Sequence, residues 1–215
     1  MKGIIGYEES QEVTVAFRNK GHEFYSCDKQ PCSGGHNDWH IHDDIYNSFK
    51  LGSLPNKWDF VGLHPVCTKL ANSGIRWLTS RKSKPVFYFS VQYGVWINPE
   101  RWYEMELAAK EFRQCLLWVA EAGKGYIENP IMHPYASEII GMRPTQIIQP
   151  WMFGHTTKKA TCLWIFGLPK LIPTKIIPLE ERTADIHLCP PGPNRQKIRS
   201  KTFPGIAKAM ADQWG

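Results

Sequence analysis

Apolar residues recur in two rhythms along this chain, short continuous runs and helical spacings, and their alternation predicts a sheet with helices between its strands. Residues 3–7 form a short apolar run that reads as a strand. In 10–20 (S-Q-E-V-T-V-A-F-R-N-K), Val13, Phe17 and Val15 or Ala16 fall at helical spacing, with Ser10 as the expected N-cap and Gly21 as the stop. Residues 23–27 (E-F-Y-S-C) supply a second strand ending at Asp28. Strand, helix and strand with a turn at each join are the opening of a parallel α/β sheet.

The rest of the chain continues the pattern. Residues 29–37 are rich in turn formers and read as a loop, followed by a short strand at 39–43. A turn at Pro55-Asn56 precedes a buried strand at 58–63, which runs into His64-Pro65-Val66-Cys67-Thr68. Residues 81–99 show no clean period and mix Arg81, Lys82 and Lys84 with Phe87, Tyr88, Phe89, Tyr93 and Trp96, the expectation being a long mobile loop. The longest helix is expected over 100–122, with Met105, Ala108, Ala109, Phe112, Leu116 and Val119 on one face and Gly123 as its end. A strand at 125–127 leads to Glu128-Asn129-Pro130; a short helix at 135–140, strands at 146–149 and 161–166 and a final helix at 204–214 complete the order. Pro190, Pro191 and Pro193 make 188–193 a loop.

Composition narrows the class. The chain has 215 residues, 42% hydrophobic and 21% charged, enough for a folded core without disulfide or metal staples. Its six cysteines are expected to be free thiols of a reducing compartment. No apolar run approaches the roughly 18 residues of a membrane-crossing helix. The start Met1-Lys2-Gly3-Ile4-Ile5-Gly6 reads as a strand instead of a signal peptide. The expectation is a soluble, cytoplasmic chain with no membrane and no obligate protein partner. Lys plus Arg number 26 against 20 Asp plus Glu, a net charge of +6 that permits a polyanionic partner without requiring one.

In an open parallel sheet, ligands bind outside the carboxyl ends of the strands. Tyr7-Glu8-Glu9-Ser10, Asp28, Asp43-Asp44, His64 to Thr68 and Glu128-Asn129-Pro130 occupy those positions in turn. Asp28 lies about 20 residues beyond the first strand, the place that commonly holds a ribose. The fourth strand delivers a cysteine and the fifth a glutamate to one crevice, the pairing a nucleophilic mechanism on an activated ring needs.

Four segments in order carry a resemblance: Pro65-Val66-Cys67-Thr68 with Leu70-Ala71-Asn72-Ser73-Gly74; Glu128-Asn129-Pro130; Gln149-Pro150-Trp151 through Phe153-Gly154-His155 and Lys159-Ala160-Thr161-Cys162-Leu163-Trp164; and Thr202-Phe203-Pro204-Gly205-Ile206-Ala207 with Ala209-Met210. In these the chain resembles the catalytic domain of the cytosine-C5 DNA methyltransferases, and more closely the short phage-type members of that family. The resemblance implies a Rossmann-like class I methyltransferase fold, α/β with a mostly parallel sheet and helices on both faces. It implies a single catalytic domain: 1–130 as cofactor-binding and catalytic core, 131–203 as a reduced substrate side, 204–214 as a closing helix. It implies S-adenosylmethionine as cofactor and DNA as partner. Cys67 would add to C6 of cytosine and Glu128 would bind N3 and the 4-amino group. Tyr7, Glu8, Ser10, Asp28, Asp44, His64 and Pro65 would contact the cofactor, and Asn72, Ser73, Arg76, Asn129, Pro130 and Lys159 the substrate. The thiolate would need electropositive help from backbone N–H groups, His64, Arg76 or Lys69.

The chain departs from the family in three places. The glycine-rich turn after the first strand is replaced by Gly6-Tyr7-Glu8-Glu9-Ser10, Val66 intervenes between Pro65 and Cys67, and there is no room for a target-recognition region between Trp151 and Pro204. Low sequence specificity is therefore expected. C5 modification of a free pyrimidine nucleotide or RNA, and an inactive nucleic-acid-binding or decoy domain, are the alternatives. Cys27, Cys32, His36, His40 and His42 are zinc-ligand types, but their spacing matches no closed zinc pattern, so no metal is expected. The segment 81–96 reads either as a lid over an extruded base or as a solvated hairpin. The tail 195–201, with four cations in seven residues, reads either as a phosphate-tracking segment or as a solvated loop.

Overall fold

The computed structural model describes residues 1–52, 57–190, 192 and 195–215. The turn expected at Pro55-Asn56, and Pro191 and Pro193 of the proline-rich loop, lie outside the described residues. In chain order the elements are β1 (Lys2–Gly6), α1 (Glu12–Arg18), β2 (Glu23–Asp28), β3 (His40–His42), α2 (Ile45–Leu51), β4 (Phe60–Leu63), α3 (Ile75–Leu78), β5 (Thr79–Ser80), β6 (Tyr88–Ser90), β7 (Val95–Ile97), α4 (Pro99–Ala122), β8 (Gly125–Pro130), α5 (Pro134–Ile140), β9 (Gln146–Ile148), β10 (Thr161–Phe166), α6 (Asp185–Leu188), α7 (Arg195–Ser200) and α8 (Pro204–Trp214).

Seven strands form the central sheet in the order β3-β2-β1-β4-β8-β10-β9. The first five in that order run parallel, and β10 lies antiparallel to both β8 and β9. The fold is thus the expected mixed α/β, Rossmann-like class with a mostly parallel sheet. Side chains on a strand alternate between faces, and here the alternation divides the core. Ile4, Val61, Leu63, Ile127, Cys162 and Trp164 pack with α4 and α5 on one face. Ile5, Phe24, Phe60, Tyr126 and Leu163 pack with α1 and α8 on the other. Both faces of each central strand are covered, which is why these strands read as continuous apolar runs.

α4 is the main support of the first face. Its Asn98 N-cap accepts from the Arg101 N–H at 3.1 Å, Pro99 opens it and Gly123 ends it in the left-handed region. On the second face α8 begins at Pro204, and the Gly205 N–H donates to His155 Nε2 at 2.9 Å, joining two of the motif segments.

Several expectations are corrected. Ser10 does not cap α1: Gln11 holds that position with φ 57° and no side-chain cap. The Glu8 carboxylate instead accepts from the Val13 N–H at 2.6 Å, the Thr14 N–H at 3.2 Å and the Thr14 hydroxyl at 2.6 Å. Residues 81–99 are not a loop, because β6 and β7 pair within them and join β5 in a separate three-stranded sheet. Glu128 and Asn129 lie inside β8, paired with Leu163 and Cys162, instead of following it. The basic tail forms the helix α7, and α2, capped by Asp44, was not expected. Among the described residues no helix is long and apolar enough to cross a membrane.

Candidate active site

The order of the parallel strands reverses between β1 and β4, the topological position at which such sheets bind ligands. His64 continues β4 by donating its N–H to the Gly6 carbonyl at 3.1 Å. The chain then leaves the sheet, and the Leu70 and Ala71 N–H groups both donate to the Cys67 carbonyl at 2.9 Å, closing a tight turn that holds the cysteine at the sheet edge. Two contacts tie this turn down. The Asn129 side-chain N–H donates to the Pro65 carbonyl at 3.0 Å. Buried His133 accepts from the Ala136 N–H at Nδ1, at 3.1 Å, so its proton sits on Nε2 and is donated to the Lys69 carbonyl at 3.1 Å.

β8 is the neighbour of β4, and its alternation puts Glu128 on the same face as Tyr126. Glu128 is brought within 3.9 Å of His64 Nε2. That nitrogen is also 2.8 Å from the Tyr126 hydroxyl. Burial lowers the His64 pKa despite the carboxylate beside it, so the contact is one between a neutral imidazole and a carboxyl group, not an ion pair. Glu128 Oε2 and Asn129 Oδ1 are buried without a hydrogen-bond partner. Such atoms are rare in folded proteins and are costly unless something completes them.

Cys67, Glu128, Lys159 and Arg199 form one electrostatic group. Burial pushes the Cys67 thiol up, while its own backbone N–H, Lys159 and Arg199 pull it down. Lys159 is lowered by burial and supported by Glu128 and Cys67. It is held by its N–H to Gln149 Oε1 at 2.9 Å and by Nζ to the Lys201 carbonyl at 3.3 Å. The expected helpers His64, Arg76 and Lys69 do not serve: His64 is neutral, Lys69 pairs with Glu104 at 2.5 Å, and the Arg76 guanidinium lies over Trp77 at 5.2 Å. Arg199 was not foreseen. It reaches the group because α7 is fastened to the start of α1, with Lys197 at 3.4 Å from Glu9 and Lys201 at 2.7 Å from Glu12.

The other predicted contacts separate into two sets. Tyr7 turns the chain in the left-handed region, φ 59°, where glycine would be usual. Asp28 accepts from the Gln30 N–H at 2.8 Å through Oδ1, Ser10 is half-buried, and Pro65 is buried. These lie at the strand ends with His64. Glu8 does not face a crevice: it is 3% exposed and engaged in capping α1. Asp44 caps α2 and pairs with Lys29 at 2.7 Å. On the substrate side, Asn72 and Ser73 are exposed in a 3-10 turn, and Pro130 ends β8 opposite Thr161. Asn129 proves to be a positioning residue through one side-chain atom while the other remains open.

The histidines of the 29–42 region are engaged within it. His40 and His42 contact the Gln30 and Lys29 carbonyls at 3.0 and 2.8 Å, and His36 stacks on Trp39. Cys32 donates to Gln11 Oε1 at 2.8 Å, fixing the loop over the β1 turn. A broad depression of about 920 Å³, lined by Phe49, Trp58, Trp118 and Lys124 among others, opens at the amino-terminal edge of the sheet, away from these residues. Compared with models of known protein families and with curated proteins, the chain matches none.

Proposed function

We propose that the chain is a cytosine-C5 DNA methyltransferase that works through a covalent Cys67 adduct, with S-adenosylmethionine as methyl donor. The observation that carries the reading is that the Cys67 turn, leaving β4, is tied through Pro65 to Asn129 of the neighbouring strand β8, beside Glu128, one of whose oxygens is buried and unpartnered. C5 of cytosine is a weak nucleophile. Addition of the Cys67 thiolate to C6 forms the S–C6 bond and moves the C5–C6 π pair toward C5, where it becomes available for bonding. The Glu128 carboxyl group, donating to N3 and accepting from the 4-amino group, stabilises that enamine, and Lys159 favours the Cys67 thiolate. After methylation a base removes the C5 proton, the released pair restores the double bond, and Cys67 leaves as thiolate.

The donor supplies an electrophilic methyl group. Tyr7, Ser10, Asp28, His64 and Pro65 would hold it, since the left-handed turn at Tyr7 bends the chain as a glycine would and, among the described residues, only Oδ1 of the Asp28 carboxylate has a hydrogen-bond partner. Incubation with DNA containing 5-fluorocytosine and the donor tests the reading, because fluorine cannot leave C5 as a cation and the adduct stays closed. A covalent complex that Cys67→Ala abolishes is expected; a complex that survives the substitution, or none at all, overturns it.

One observation favours a second reading, a nucleic-acid-binding domain without catalysis: Glu8 and Asp44, both predicted donor contacts, are engaged in capping α1 and α2. Absence of a thermal shift with S-adenosylmethionine, alongside retained oligonucleotide binding, would select it.

A further inference from the structure

We propose that the separate sheet formed by β5, β6 and β7 is a platform for single-stranded nucleic acid, which feeds an unpaired base to the Cys67 crevice. The inference rests on the reading above only in taking the substrate base to be part of a polymer. Three features of the sheet point to it.

The first is charge. From Phe60 to Pro99 the chain carries Lys69, Arg76, Arg81, Lys82 and Lys84 and not one Asp or Glu. Lys69 is neutralised by Glu104, but Arg76, Arg81, Lys82 and Lys84 are exposed and have no ion pair among the described residues. Two cations of the 195–201 segment are different, since Lys197 pairs with Glu9 and Lys201 with Glu12. Unpaired cations without interspersed acids complement a polyphosphate backbone.

The second is the exposure of aromatic rings in the same segment, with Arg76 lying over Trp77 and Lys84 over Phe87. Phe89 on β6 is the cross-strand partner of Trp96 on β7, and their rings meet edge to face at 5.6 Å. Ile97, one residue on, is buried, so alternation puts Phe89 and Trp96 on the opposite face. Phe89 is 51% exposed and Trp77, at the end of the Cys67 segment, 60%. Rings left open beside arginine and lysine are what successive unstacked bases use, whereas a duplex keeps its base faces covered.

The third is mounting. Leu78 and Ile97 are buried, and the Asn98 N–H donates to the Leu78 carbonyl at 3.0 Å. Tyr93, in the β6–β7 turn, packs against Trp102 of α4 at 5.2 Å and Tyr135 of α5 at 5.0 Å. The platform is therefore fixed beside the turn that holds Cys67, joined to it by α3.

Fluorescence anisotropy of labelled oligo(dC), with the full chain and no methyl donor, tests this. The triple variant Arg81→Ala, Lys82→Ala, Lys84→Ala should weaken binding at least tenfold and reduce the slope of log K against log salt by about 2. Phe89→Leu, which keeps an apolar surface side chain and removes the ring, should weaken binding about fivefold or more. Unchanged affinity in both variants, tighter binding to the same sequence as a duplex, or binding to phosphatidylserine vesicles with none to oligo(dC), would overturn the proposal. The measurement uses no methyl donor and reads no covalent step, so failure of the methyl-transfer reading leaves it intact, and failure here leaves C5 chemistry on a free nucleotide open to test.

Discussion

The Asn129 side chain donates to the Pro65 carbonyl at 3.0 Å, so a buried hydrogen bond joins the strand that carries Glu128 to the turn that carries Cys67. Residues 64 apart in sequence thereby share one geometry. Asn129→Ala should cost about 1–3 kcal/mol of stability, because it leaves a buried carbonyl unpaired. Urea unfolding measures this. Asn129→Asp, similar in shape but lacking the donor, should be at least as damaging, and a neutral result for both would remove the tie from the account.

Glu8 predicts an unusual pH dependence. Burial pushes its carboxyl from the ordinary 4.5 up to about 7, against the three hydrogen bonds that favour the anion. The folded state therefore holds the proton more tightly than the unfolded chain. Its contribution to stability is fully present below pH 4.5 and is lost as pH rises to about 7, by on the order of 3 kcal/mol. In Glu8→Gln this loss is absent. Unfolding of both proteins at pH 4.5, 6 and 7.5 should show the difference in stability moving in favour of the variant as pH rises; a constant difference would refute the assignment.

The central sheet was legible because its strands are covered on both faces and so stand out as apolar runs, and Cys67 and Glu128 were legible because they follow or end such runs. Glu8 was not. A carboxylate after a first strand looks the same whether it faces a ligand or turns back on its own helix, and the left-handed backbone at Tyr7 and Gln11 decides which. Residues 81–99 lack a period because strands of two or three residues are too short to show one. Arg199 and His133 act from other parts of the chain, and nothing local to Cys67 announces them. For His133 the following Pro134 was a usable signal, since proline favours the first helical position and marks its predecessor as a cap.

Gly125 is the point where β8 enters the sheet, and its side is closed to any substituent. Its φ is 154°, and a Cβ there would lie 1.9 Å from the Val61 carbonyl oxygen. Gly125→Ala must therefore push β8 from β4, the two strands that bring Glu128 and Cys67 together. A loss of more than about 3 kcal/mol is expected, a fall in Tm of roughly 6–12 °C for a chain of this size. Gly192→Ala, with nothing within 4 Å of the new atom among the described residues, is the control that should melt as the wild type does.

The thiol of Cys67 is set by opposing influences, burial raising it above the ordinary 9.0 and Lys159 and Arg199 lowering it. At neutral pH only a small fraction is thiolate, so alkylation by iodoacetamide should accelerate with pH and show no plateau below pH 9. Removing a cation leaves burial less opposed. Lys159→Gln should slow modification of Cys67 at pH 8 about three- to tenfold, and Arg199→Gln should slow it less, because Lys159 is the stronger of the two influences. Mass spectrometry separates Cys67 from the half-buried Cys32 and Cys189. A rate at Cys67 that neither substitution changes would mean that the two cations do not govern the nucleophile.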